Sequence, residues 1–328
     1  MSASPSRSNS RPLSGRVALV AGATRGAGRG IATALGEAGA TVYCTGRSSR
    51  ERPGSRPETI EETAERVSAA GGVGVAVRVD HGVEDEVAAL ASRLRAEHGG
   101  LDLLVNDVWG GDALIGWGQT PWEMDIATAR RLWDTAFWTH MVNVRHLAPL
   151  LFGRPRALLV EITDGDGFGY RGHLLYDLIK MSVIRLAFGL SHELRPHGVT
   201  ALALTPGFLR SEAMLDLFGV TEENWRDGAA KDPNFIASET PLYVGRAVAA
   251  LAGEPDVARR SGRLFSSWAI AREHGLTDAD GRQPHWGDHF IQAYGPYPVA
   301  DEAAYASWRD GAFEVAFGGG AGDAPERR

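Results

Sequence analysis

Tyr176 and Lys180 stand four residues apart in a stretch, 175–195, whose apolar pattern predicts a helix, so the phenol and the ammonium share one face a single turn apart. With two lysines and seven tyrosines in 328 residues, a Tyr-x3-Lys pair arises by chance only about 0.04 times. An ammonium beside a phenol lowers the phenol pKa from about 10, which makes Tyr176 a proton donor to a carbonyl that receives hydride. Asp164 lies at the end of a predicted strand and is expected to face the tyrosine. Ionised, it would attract an amine or iminium; protonated by desolvation, it would donate to a carbonyl.

A second feature lies near the N-terminus. The apolar run 16–22 leads into Ala21-Gly22-Ala23-Thr24-Arg25-Gly26-Ala27-Gly28, a G-x3-G-x-G turn that opens a predicted helix. Glycines there permit a tight turn and let backbone N–H groups approach a pyrophosphate at the positive end of the helix dipole. The next apolar run ends in Thr45-Gly46-Arg47, with no carboxylate before Glu51. A site for NAD places an acidic residue there to accept the ribose hydroxyls, whereas Arg47, with Arg25 from the glycine turn, supplies a cationic pocket for a 2′-phosphate. NADP(H) is therefore the expected cofactor, held by Gly22, Thr24, Arg25, Gly26, Gly28 and Arg47.

These groups need a scaffold that gathers the ends of several strands. Short apolar runs at 16–22, 41–45, 73–80, 101–106, 157–163 and 199–205 alternate with helical patterns at 28–38, 57–70, 83–98, 121–151, 175–195 and 243–252. Such alternation implies the α/β class: a doubly wound parallel sheet (Rossmann fold) with ligands at the C-terminal ends of its strands. A last strand is expected within 262–268. Beyond Ala269 the sequence becomes rich in aromatic residues, Gly and Pro, with Trp286, Phe290, Tyr294, Tyr297, Tyr305 and Trp308. The expected organisation is a single domain over 14–268, a disordered tail over 1–13, a C-terminal aromatic-rich extension over 269–317 and a second disordered tail over 318–328.

A net charge of −7 argues against nucleic acid and anionic membrane as partners and for a small-molecule substrate. The balance of 44% hydrophobic and 23% charged residues excludes disorder across the whole chain. Cys44, the single cysteine, excludes a disulfide framework and fits a reducing compartment, so a cytoplasmic location is expected. No apolar run of membrane-spanning length occurs. Asp164, Asp166 and His173 offer too few ligands for a metal, and none is expected. Trp109, Trp117, Trp122, Trp133 and Trp138 are expected in core and subunit packing, with Trp109 and Trp117 also placed to line an apolar substrate pocket.

From about Leu13 to Pro284 the chain resembles the short-chain dehydrogenase/reductase family. The resemblance rests on the glycine turn, Asp80, Asn106-Asp107-Val108-Trp109 where the family has Asn-Asn-Ala-Gly, Tyr-x3-Lys, and Thr205-Pro206-Gly207. RGAGRGIA, GATVYCTGR, PWE at 121–123, SHELRPHGV at 191–199 and AIAREHGLTDADGRQP at 269–284 resemble its dehydrogenase/reductase member one branch. The resemblance implies NADP(H)-dependent carbonyl or alcohol chemistry, with Tyr176 as acid/base and Lys180 as its partner and a cofactor contact. It implies further cofactor contacts from Asp80, Asn106, Pro206, Gly207 and Ser211, and a homo-oligomer, dimer or tetramer.

Two departures stand out. Asp164 occupies the position of the family's serine, and an ionised carboxylate cannot donate to a carbonyl oxygen. Ala136 falls where the family has the asparagine of its proton relay; His140, one turn on, is a nearer relay candidate than Asn143, although a satisfied structural histidine is the favoured reading of it. The alternative is an NADP(H)-binding protein of regulatory or isomerase-like role; Tyr176 and Lys180 favour the enzyme.

Overall fold

The computed structural model describes residues 11–166 and 170–295. Its seven strands are β1 (Val17–Ala21), β2 (Thr41–Gly46), β3 (Val73–Arg78), β4 (Leu103–Asn106), β5 (Leu158–Ile162), β6 (Thr200–Thr205) and β7 (Leu264–Ser266). All pair in parallel, in the order β3-β2-β1-β4-β5-β6-β7, as the doubly wound expectation requires. Strands β1, β4, β5 and β6 are buried along their whole length, which explains why they read as continuous apolar runs.

The helices are α1 (Gly26–Glu37), α2 (Ile60–Ala69), α3 (Glu84–His98), α4 (Ile126–Trp133), α5 (Thr139–Leu147), α6 (Leu174–Glu193), α7 (Glu212–Phe218), α8 (Pro241–Gly253), α9 (Ser267–His274) and α10 (Trp286–Tyr294). One apolar layer packs α1 and α8 on one face of the sheet, with Val20, Ile31, Leu35, Val105, Val160, Val244 and Leu251 at its centre. The other face buries Leu19, Leu90, Leu94, Leu104, Leu159, Leu147 and Leu190 beneath α3, α5 and α6. Helices α1 and α8 cross at glycine: a Cβ on Gly30 would lie 1.9 Å from the Pro241 carbonyl oxygen.

The single helix expected over 121–151 starts later, at Ile126, and changes hydrogen-bond register along its length. Residues 121–125 form a turn, and Asp125 caps α4 by accepting from the Thr128 N–H. A π turn over Asp134–Trp138 separates α4 from α5, and Pro149 tightens the end into a 3₁₀ turn, Ala148–Leu151. The last strand is only three residues long, so Trp268 sits on α9 rather than on a strand. The expected extension is helical through α9 and α10, while Tyr297, Tyr305, Trp308 and the tail over 318–328 lie outside the described residues. Leu13 is buried and its N–H bonds to the Ala38 carbonyl, so ordered packing begins within the first expected tail. Trp117, Trp122 and Trp138 are 62%, 85% and 54% exposed, not core. No helix among the described residues is long and apolar enough to cross a membrane.

Candidate active site

A cleft of about 960 Å³ opens at the C-terminal ends of the strands. At one end lies the glycine turn. Gly22 has φ +92°, and a Cβ there would lie 2.3 Å from the Asp107 carbonyl oxygen, so the approach of β1 to the strand-four loop requires glycine. Gly28 packs directly against the Gly22 carbonyl and the Asp107 carboxyl, below the cleft wall. The Gly26 N–H donates to Glu212 at 2.8 Å, a use of the α1 N-terminus by a carboxylate that the sequence did not signal. Thr24, Arg25 and Gly26 line the cleft, and so do Arg47, Asp80, Pro206, Gly207 and Ser211. Arg47 is exposed; Asp80 accepts from the Gly82 N–H at 2.9 Å; Ser211 caps α7.

The other end of the cleft is assembled by β5 and α6. The Thr163 hydroxyl donates to the Lys180 carbonyl at 2.8 Å, fixing the strand end against the second turn of the helix. His173 caps α6 by accepting from the Tyr176 N–H. Tyr176, Lys180 and Asp164 converge in the cleft, and the Tyr176 hydroxyl donates to Asp164 Oδ2 at 2.7 Å. Trp109 meets the tyrosine ring edge-on at 5.4 Å and Trp117 lies at 5.3 Å, so both line this end as expected. The Lys180 ammonium rests 4.1 Å from the Trp109 ring centre and 5.4 Å from that of Tyr176.

Burial lowers the Lys180 pKa, opposed by Asp164, Asp107 and Asp112. The phenol of Tyr176 is pushed upward, first by burial and then by Asp164. A lowered phenol was the sequence expectation; burial reverses it, reinforced by the Asp164 carboxylate that the family pattern lacks. Asp107, quoted in a motif but assigned no role from sequence, is half-buried in the cleft wall beside the glycine turn, and desolvation raises its carboxyl to about 7.

Asn106 does not line the cleft. It belongs to a buried chain of polar side chains: its amide donates to Glu161 at 2.8 Å and its carbonyl accepts from Asn143 at 3.1 Å. Asn143 Oδ1 meets His81 at 2.7 Å, and His81 meets Thr45 at 2.9 Å. Desolvation brings His81 down to about 4, so it is neutral. His140 is engaged by Glu161 at 2.5 Å and by the Val108 carbonyl at 3.0 Å, leaving it no contact with Tyr176 or Lys180. Ala136 is buried against Leu132 and Ile179. Glu161 was legible as a carboxylate inside an apolar strand, a signal that sequence reasoning passed over. Trp268 and Trp286, from α9 and α10, close the far side.

The short chain dehydrogenase family model matches residues 16–218, and the chain belongs to that family. It is 34% identical over 288 residues to dehydrogenase/reductase SDR family member 1 of Mus musculus, covering 86% of this chain and 88% of that one. Two solved structures share the fold. A short chain dehydrogenase from Mycobacterium thermoresistibile matches with a TM-score of 0.69 at 22% identity, over 84% of this chain and 92% of that one. L-Sorbose reductase from Gluconobacter frateurii, complexed with NADPH and L-sorbose, matches with 0.65 at 19%, over 78% and 96%.

Proposed function

We propose that the protein is an NADP(H)-dependent oxidoreductase that interconverts a carbonyl and an alcohol, or an imine and an amine, on a small-molecule substrate. The observation that carries this is the convergence of Tyr176, Lys180 and Asp164 at the wall of a cleft whose other end is a glycine turn followed by Arg47. The nicotinamide supplies or accepts the hydride when bound. Gly22, Thr24, Arg25 and Gly26 would hold the pyrophosphate, and Asp80, Pro206, Gly207 and Ser211 would flank the rest of the cofactor. The glycine turn fits such a group, because Gly22, Thr24, Arg25 and Gly26 all line the cleft where α1 begins. Arg47 is suited to a 2′-phosphate, and the NADPH bound by the Gluconobacter enzyme supports the same choice.

In this mechanism Tyr176 gives its hydroxyl proton to the substrate oxygen or nitrogen in reduction and takes it back in oxidation. Lys180, held close to the phenol, stabilises the phenolate that forms. Asp164 keeps the hydroxyl oriented between turnovers and offers a partner to a cationic substrate nitrogen. The exposed Trp122, Ile126, Trp138 and Leu178 support a homo-oligomer, dimer or tetramer. A cytoplasmic location rests on the lone, buried Cys44.

One observation favours a second reading. The Tyr176 proton is already committed to Asp164, so a protein that binds NADP(H) in a regulatory or isomerase-like role fits the same geometry. Assaying NADPH oxidation against a panel of aldehydes, ketones and cyclic imines decides between them. Turnover abolished by Tyr176→Phe supports the oxidoreductase, and cofactor binding without any turnover supports the second reading.

A further inference from the structure

Glu161 lies in the middle of β5, fully buried, where an apolar residue would cost far less. Its carboxyl is fully occupied: one oxygen accepts from Asn106 and the other meets His140 Nδ1 at 2.5 Å. His140, 2% exposed, reaches the Val108 carbonyl with Nε2 at 3.0 Å. A carbonyl only accepts, so Nε2 carries the hydrogen of that bond, and Glu161 holds the ring from its other side. Asn143, neutral His81 and Thr45 extend the chain beneath β4, β1 and β2, with each polar group met.

This chain ends on the main chain of Val108, between Asp107 at the glycine turn and Trp109 at the acid/base pair. Trp109 is tied at its outer edge to Asp112 by its indole N–H, at 2.6 Å, and its face receives the Lys180 ammonium. We propose that His140, held by Glu161, is a positioning residue that anchors Val108 so that the face of Trp109 confines the Lys180 ammonium beside Tyr176. This takes the role assigned above to Lys180 as its premise, and places the support for that lysine in α5 and β5, one layer below the cleft. Asp164, Asp107, Asp112 and Arg171 are the other charged groups facing the ammonium.

The chain carries only two lysines, Lys180 and Lys231, so the state of Lys180 is readable without turnover. Acetic anhydride labelling of the full-length protein across pH, quantified by mass spectrometry with Lys231 as internal reference, gives its titration midpoint. In the wild type this midpoint should lie below that of Lys231, because burial disfavours the ammonium. His140→Phe keeps a ring but removes both contacts, and should raise the Lys180 midpoint by about half a pH unit or more as the ammonium becomes hydrated. Trp109→Leu should give the same shift, and the double variant no more than the larger single shift. Glu161→Gln preserves both contacts, with its amide donating to Nδ1, and should retain the wild-type midpoint. In turnover, His140→Phe should lose about tenfold or more in kcat with cofactor Kd unchanged within about threefold.

An unmoved Lys180 midpoint in His140→Phe or in Trp109→Leu, or additive shifts in the double variant, would overturn the proposal. Should His140→Phe not fold, Trp109→Leu on the cleft wall decides: no shift there overturns it. Failure of the oxidoreductase assignment itself looks different, since the labelling shifts would then appear in a protein with no turnover.

Discussion

The Tyr176 hydroxyl donates to the Asp164 carboxylate across 2.7 Å, joining the end of β5 to the first turn of α6. Under the proposed mechanism, the phenol that gives up a proton is thus bound to a group that holds the proton in place. On the proposed mechanism a substrate would have to displace that bond or exploit it, which would make Asp164 the residue that sorts substrates by charge.

Asp164→Ser and Asp164→Asn should each raise kcat/KM for neutral carbonyls by freeing the Tyr176 hydroxyl. Both should weaken binding of cationic substrates by about tenfold or more, since a charge-assisted hydrogen bond contributes about 1.5–3 kcal/mol. Steady-state kinetics on matched neutral and cationic substrates measure both effects. Unchanged values for both classes would show that Asp164 takes no part in recognition.

Tyr176→Phe removes the proton donor and keeps the ring that packs against Trp109 and Trp117. Turnover should fall by about 10²- to 10⁴-fold. NADPH affinity, read by its fluorescence enhancement, should stay within about twofold, because the hydroxyl faces Asp164 rather than the glycine turn.

Arg47 is exposed, which places its contribution at the low end for a charge-assisted pair. Wild-type protein should bind NADPH about tenfold more tightly than NADH, a difference of about 1.4 kcal/mol. Arg47→Ala should abolish most of that preference while leaving NADH affinity nearly unchanged, as calorimetric titration of both cofactors would reveal. Equal wild-type affinities would remove Arg47 from the specificity argument.

Asp107 provides a pH test. Its folded-state pKa, about 7, lies above its unfolded value, so the native state binds more protons between the two. The stability associated with this group is full below the unfolded pKa, falls as pH rises through the folded value and is flat above it. Ionisation also sets a negative charge beside the glycine turn, so NADP(H) affinity should fall across the same rise. Asp107→Asn should flatten both dependences, with a higher melting temperature than wild type at pH 8 and a smaller difference at pH 5.

Gly30→Ala tests the crossing of α1 and α8. Its Cβ would meet Pro241 backbone that cannot yield as a flexible side chain would, so overpacking should cost about 1–3 kcal/mol in chemical denaturation. Cofactor affinity measured below the transition should remain, because Gly30 is not in the cleft wall.

Much of this protein was legible in one dimension. The apolar runs that became the strands, the glycine turn after β1 and the four-residue spacing of Tyr176 and Lys180 are local patterns, set by side-chain period and turn chemistry. Asp164 was legible for the same reason, since a strand end followed by a helix fixes which residues meet across the connection. The role of Asn106 was not legible, because its partners Glu161 and Asn143 are 55 and 37 residues away. Their meeting depends on the pairing of β4 with β5 and on the rotation of α5. The π turn over Asp134–Trp138 defeated a count along a straight helix: each residue inserted into a helix rotates the downstream turns by about 100°. His140 meets Glu161 and the Val108 carbonyl, the satisfied structural histidine that the sequence favoured over a relay. The sign of the Tyr176 shift was likewise beyond the sequence, because spacing places an ammonium beside a phenol but only the folded site balances that cation against burial and the Asp164 carboxylate. Spacing along the chain determined which groups could do the chemistry, and three-dimensional burial decided which protons they hold, because desolvation and Coulomb interaction depend on distances that the backbone sets only when it is folded.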